Sequence, residues 1–213
     1  MRIVSLSVLA LVVTGCSKPS EPAPTAPASQ QLPAAAPRGP ELADKAAPPA
    51  SASASANANP KAGGLTWTAR KPFVARTPKS SMRAAEYGIE GDAQSELTVF
   101  YFGADQGGGV EANFNRWLGQ FKQADGSDAV AKRSERTVNS MSVATIETTG
   151  KYGGGMAPPG APPPAAIEDA ALLGAIAKGP EGSVFFKLVG PRASVDGARP
   201  AFDQLLESLR KAE

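Results

Sequence analysis

Every aromatic residue of this 213-residue chain lies at or beyond Trp67: both Trp, all three Tyr and all eight Phe. Large aromatic side chains dominate core energetics, so a packed fold has to be built from the later two thirds of the sequence. Ahead of them, residues 17–63 hold 15 Ala, 10 Pro and 6 Ser, so three residue types fill 31 of 47 positions. Leu32 and Leu42 are the only large aliphatics in that stretch. Such a segment cannot bury enough apolar surface to offset its chain entropy, and it reads as a disordered tether. Its reach as a flexible coil is about 38 Å, with prolines favouring polyproline-like extension. A GC-rich genome would enrich the same residues without selection for reach.

The first sixteen residues have a different character. Met1-Arg2 is a short positive start, and residues 3–13 form an apolar run interrupted only by Ser5 and Ser7. That run has the length of a secretory signal core and is too short to span a bilayer as a helix. It ends in Val13-Thr14-Gly15-Cys16, which resembles the signal box of bacterial lipoproteins. The resemblance implies cleavage between Gly15 and Cys16, acylation of the Cys16 thiol and a mature chain that begins at that residue. Two or three acyl chains hold a protein firmly on a bilayer. Ser17 in the next position implies the outer membrane rather than the inner, by analogy with enteric sorting. The expected partner is therefore first a membrane, through lipid on Cys16, in the bacterial cell envelope.

Composition then removes whole classes of chemistry. The chain has no His, which removes the commonest general base and metal ligand, and its one Cys rules out an internal disulfide or a cysteine-clustered metal site. A formal charge of +2 is too balanced for a nucleic-acid surface built on bulk positive charge.

Residues 65–213 are long enough for one core, giving the organisation 1–15 signal, 16–64 lipidated linker and 65–213 globular domain. Strands are expected over residues 65–70 and 82–90, the second placing Arg83, Ala85, Tyr87 and Ile89 on one face, and over 97–102. Val110, Phe114, Trp117, Leu118 and Phe121 form a helical stripe. Two hairpins follow, 129–152 turning near Asn139 and Ser140, and 170–189 turning at residues 179–182. Between them, residues 153–166 form a Gly/Pro-rich loop. Pro200 is expected to open a last helix, with Asp203 in its first turn and Arg210 and Lys211 in its last. The fold class is α/β (α+β): one α/β/α sandwich with a mainly antiparallel central sheet and two main helices.

This order, with Trp117 in the middle helix, Val184-Phe185-Phe186-Lys187-Leu188 and then Phe202 to Leu209, resembles the sandwich shared by the PsbP subunit of photosystem II and the small Ran-binding proteins of that fold. The resemblance implies a non-enzymatic binding or assembly module.

The candidate chemistry is sparse. Gly103 and Gly108 satisfy part of a phosphate-loop spacing, but Gly109 and Val110 stand where Lys and Ser or Thr are needed. A tight strand-to-helix connection with positive φ values is the expectation, displaying Asp105 and Gln106 beside Arg116 as a candidate interaction surface. Glu86, Glu90, Asp92 and Glu96 are the closest carboxylate cluster and read as a solvated strand face around a turn. Asp125 to Asp128 lacks calcium-loop spacing and reads as a turn. Lys132, Arg133 and Arg136 read as edge-strand charges. Lys187 sits in an apolar run: on an edge it would face solvent, and otherwise it needs a buried partner. No catalytic residue, metal or cofactor is expected. The chain reads as an interaction module for an envelope protein or the cell wall, with a small-ligand carrier as the alternative, its pocket lying between the sheet and helix 110–121.

Overall fold

The computed structural model describes residues 60–155 and 165–213. Cys16, the signal segment, the tether up to residue 59 and residues 156–164 of the Gly/Pro-rich loop lie outside the described residues. The elements in chain order are β1 (Lys61–Ala62), β2 (Leu65–Thr66), β3 (Phe73–Arg76), β4 (Arg83–Ile89), β5 (Asp92–Tyr101), α1 (Val110–Leu118) and β6 (Phe121–Lys122). They continue with β7 (Ala131–Val138), β8 (Met141–Tyr152), β9 (Ile167–Gly179), β10 (Gly182–Pro191), α2 (Arg192–Glu207) and β11 (Arg210–Lys211). An eight-stranded sheet runs β3-β4-β5-β10-β9-β8-β6, with β7 also paired to β8, and every pairing in it is antiparallel. The fold is thus the mixed α/β class with a mainly antiparallel sheet and two helices.

Alternation along the strands sorts the core onto two faces. On one, Leu97, Val99, Leu173, Ala175, Phe186 and Leu188 pack with Val195, Phe202, Leu205 and Leu206 of α2. On the other, Ile146, Leu172, Ile176 and Phe185 pack with Phe114 and Trp117 of α1 and with Phe121. A Cβ on Gly174 would stand 2.6 Å from the Trp117 ring, so the glycine is what lets the indole lie on β9. The indole therefore fills the interface between sheet and α1, where the alternative reading placed a carrier pocket.

The 129–152 hairpin closes through Asn139 and Ser140, both with positive φ (46° and 65°), the backbone of a tight hairpin turn. Other expectations need correction. The strand over 65–70 shortens to Leu65–Thr66, after which Trp67 turns inward and donates from Nε1 to the Tyr87 hydroxyl at 3.1 Å. A register shift between Arg83 and Ala85 puts Arg83 on the α1 face, opposite to Ala85 and Tyr87. Helix α2 begins eight residues before Pro200, which sits inside it. The burial of Val195 and Ala198 against the sheet outweighs the single backbone bond that proline forfeits. Asp203 therefore lies in mid-helix, and Arg210 and Lys211 form a strand rather than a last helical turn.

The fold also reaches four residues ahead of the expected boundary at 65. β1 and β11 flank β2 in a small sheet, and the Gly63 and Gly64 carbonyls accept from Glu181 N (3.2 Å) and Ala212 N (2.9 Å).

Candidate functional site

Helix α1, only nine residues long, lies against β8. On its face of the sheet the floor made by β4 and β5 is left partly open, and what lies there is mostly charged. Glu86 on β4 is buried, with no side-chain exposure, although the sequence places it on a solvated face. Its Oε2 accepts from Arg83 Nη1 at 2.7 Å and from the Lys79 backbone N–H at 3.2 Å. Its Oε1 has Lys79 Nζ at 3.0 Å but no hydrogen bond. Glu96 on β5 accepts from Arg83 Nη1 at 2.6 Å, from the Thr98 hydroxyl at 2.9 Å and from Lys79. Burial works against the Glu96 charge, but Lys79, Thr98 and Arg83 overcome it and hold the carboxyl at about 2. The Glu96 and Glu86 carboxylates in turn raise Lys79.

The other two carboxylates of the expected cluster stand apart. Glu90 pairs with exposed Lys71, and Asp92 closes the β4–β5 turn by accepting from Gln94 N (2.7 Å) and the Ser95 hydroxyl (2.5 Å).

Lys187 is on the same floor. Its strand, β10, is central, between β5 and β9, so the residue cannot escape to an edge. It donates to Gln120 Oε1 at 2.5 Å and lies over the Tyr152 ring at 5.4 Å. Burial pushes its pKa down to about 8, partly opposed by Glu96 and reinforced by Arg83. Burial also raises the Tyr152 hydroxyl.

Toward the loop before α1 the floor becomes aromatic. Phe100 and Phe102 stack at 6.0 Å, Phe102 meets Phe185 edge-on at 5.5 Å, and Arg83 lies 5.8 Å over Phe100. Phe102 is 36% exposed, which makes it one of the few large apolar side chains open to water. The loop itself is the tight connection expected. Asp105, Gly103, Gly107 and Gly108 all have positive φ, and the Asn113 amide donates to the Gly107 and Gly109 carbonyls at 2.8 and 2.9 Å. A Cβ on Gly107 would come within 2.7 Å of Phe102, so the loop is pressed onto the floor.

The candidate residues Asp105 and Gln106 are exposed in this loop, and Arg116 is exposed on α1. Among the described residues no hydrogen bond or ion pair joins either of the first two to Arg116. Asn113, Arg116 and Gln120 recur at i, i+3 and i+7, on the side of the helix that meets Gly107 at one end and Lys187 at the other. Arg116 Nη1 bonds Asn113 Oδ1 at 3.0 Å. Asn113, Arg116 and Gln120 are thus linked along α1 and the turn that follows it, while Asp105 and Gln106 stand exposed in the preceding loop. Lys79, Arg83, Thr98, Gln120 and Tyr152 are residues that sequence reasoning missed. Their partners come from different strands, and the only local signal was a Lys inside an apolar run. Among the described residues no group of three or more Asp, Glu or Cys side chains is placed to hold a metal ion.

No protein-family model matches this chain, and no curated protein matches it. Among solved structures it is similar to cyanobacterial PsbP (CyanoP) from Synechocystis sp. PCC 6803. That similarity is 12% identity over 70% of this chain and 87% of the other, with a TM-score of 0.45. It is also similar to a protein of unknown function, PA94 from Pseudomonas aeruginosa, at 12% identity over 66% and 82%, with a TM-score of 0.36. No residue role passes from either protein to this one.

Proposed function

We propose that the chain is a non-catalytic interaction module, held at the bacterial envelope by lipid on Cys16, that seats an envelope partner on the open floor beside α1. The observation behind this reading is a partly exposed Phe102 beside a network of paired charges on β4, β5 and the loop between β3 and β4, with Asp105, Gln106 and Arg116 exposed on the neighbouring loop and helix. Apolar contact area flanked by fixed charges is the anatomy of a recognition surface. The Glu96 carboxyl, held at about 2, neither gives nor takes protons near neutrality, and Lys187, at about 8, is engaged by Gln120. The filled interface under α1 argues against the carrier alternative.

The test is photo-crosslinking of the native lipoprotein in its own envelope, with the reactive group at position 102 or at Val130, which is 78% exposed near the other sheet edge. A product from 102 that weakens in Asp105→Ala, Gln106→Ala and Arg116→Ala chains, with their thermal melts unchanged, supports the floor. Products from 130 alone, or capture indifferent to all three substitutions, overturn it.

A further inference from the structure

Strand β7 closes one edge of the sheet, away from the floor beside α1. It bonds β8 on one side, and among the described residues no strand pairs with its other side. Val138 and Met141 flank the two-residue turn at Asn139 and Ser140, so they form the closing hydrogen-bonded pair of the hairpin. Alternation along the ladder then turns the N–H and C=O groups of Lys132, Ser134 and Arg136 toward β8 as well. Those of Ala131, Arg133, Glu135 and Thr137 point outward, and the eight-residue strand is a template for a further one.

The side chains on this edge carry both signs. Arg133 lies on the α1 face, where its Nη1 donates to Glu111 and its Nη2 to Asn115 at 2.9 Å. Glu135 is on the same face and accepts from the Ser142 hydroxyl at 2.5 Å. Such charges deter an arbitrary strand, but they fit a second copy of β7. Antiparallel pairing about a two-fold axis at Ser134 sets Arg133 opposite Glu135 of the second copy, and Glu135 opposite its Arg133. Both residues also turn their backbone groups outward, so each pair exchanges N–H···O bonds. A slip of two residues, the smallest that keeps side chains on their own faces, sets Glu135 against Glu135 or Arg133 against Arg133. Charge therefore selects the register. The same register sets Val130, which is 78% exposed just before β7, opposite Val138 of the second copy. It also brings Lys132 to Arg136 of the second copy, whose charge has its own Asp203 at 3.7 Å.

We propose that β7 is a self-association edge: two copies pair β7 with β7, antiparallel about Ser134, and join their sheets into one. A single strand pair is small beside the roughly 1,200–2,000 Å² of stable interfaces, so the dimer is of the weak, exchanging kind.

The experiment traps that dimer with a disulfide in cells producing the full chain. Ser134 meets itself across the axis as a non-hydrogen-bonded pair, whose Cα atoms stand about 4.5 Å apart, within disulfide reach. Cys16 is the one natural cysteine, so the chain without an added cysteine is the reference. On mild oxidation Ser134→Cys should give at least tenfold more covalent dimer than the reference, and Lys132→Cys, off the axis, no more than the reference. Adding Arg133→Glu or Glu135→Arg to Ser134→Cys sets like charges together twice and should cut the dimer at least tenfold. Produced together, with one lengthened by a tag, those two reversed chains regain both opposite pairs and should form the mixed dimer at the Ser134→Cys level. A variant that had merely misfolded would not be rescued in this way. No dimer through position 134, an equal yield at 132, indifference to the reversals or absence of the mixed dimer each overturns the edge. So does capture of the position-134 cysteine by a different protein in place of a second copy.

Discussion

Lys187 and Glu96 share one floor, and pH should separate their effects on stability. Burial lowers the folded pKa of Lys187 from 10.5 to about 8. Below pH 8 both folded and unfolded states carry the proton, so the penalty of the buried charge is fully present. Between pH 8 and 10.5 the folded state releases its proton first, the unfolded state binds more protons, and stability rises with pH. The rise should approach about 3 kcal/mol, at about 1.4 kcal/mol per pKa unit. Glu96 acts at the acid end: held at about 2 against an ordinary 4.5, it contributes stability above pH 4.5 that is lost as pH falls toward 2. Urea unfolding from pH 2 to 10.5 checks both limbs. Lys187→Met should flatten the alkaline limb, whereas Glu96→Gln should reduce the acid limb and, by removing the charge that opposes burial at Lys187, start the alkaline rise at lower pH; a Lys187→Met chain that still gains stability above pH 8 refutes the assignment. Part of this was legible in the sequence. The apolar neighbours of Lys187 singled it out, but the reading that it faces solvent from an edge fails because β10 is central; its partner Gln120 is 67 residues away and nothing near either residue marks the pairing.

The two helices differ in how openly their sequences announced them. Val110, Phe114, Trp117 and Leu118 keep the helical period, so α1 could be read directly, but the expected helix ran on to Phe121, which lies in β6 beyond the Gly119 cap. In α2, Pro200 reads locally as a helix start, and the first half was hidden because its stability comes from Val195 and Ala198 on the sheet. Two-residue strands carry no period at all, so β1, β2 and β11 were invisible apart from the start of the expected 65–70 strand. The seating of α1 yields a coupling test. Trp117→Ala should cost about 3–5 kcal/mol as a buried large aromatic. Gly174→Ala pushes a methyl against the Trp117 ring and Ile146, and should cost about 1–3 kcal/mol by overpacking. In the double variant the missing indole makes room for the new methyl, so the combined loss should fall short of the sum by about 1 kcal/mol. Strict additivity in equilibrium unfolding would mean that Trp117 does not rest on Gly174.

At the scale of the whole molecule, each helix covers part of one sheet face, and the uncovered parts carry the polar groups, at opposite corners. Helix α2 lies over β5, β10 and β9, and α1 against β8. The sheet is wider than either helix can cover, and its apolar residues are spent where a helix lies on them. This explains why the fold class was readable from periodicity while the candidate site was not: it forms where strands distant in sequence meet beyond a helix edge. The same long-range closure decides where the domain begins. Composition places the boundary at residue 65, where the apolar pattern starts. Yet Lys61 Nζ donates to the Glu213 carbonyl at 2.6 Å, β1 pairs with β2, and Gly63 and Gly64 accept from the β9–β10 turn and from Ala212. Gly63 also lies against Val184 and Tyr101, which its removal would open to water. A chain starting at Pro60 keeps all of these contacts, and a chain starting at Leu65 loses every one. At about 1 kcal/mol for each net hydrogen bond, the shorter chain should be less stable by about 2–4 kcal/mol, while both unfold in one cooperative step. Guanidinium unfolding of the two chains side by side measures the difference. Equal midpoints and slopes would show that residues 60–64 contribute nothing and would restore the boundary at 65.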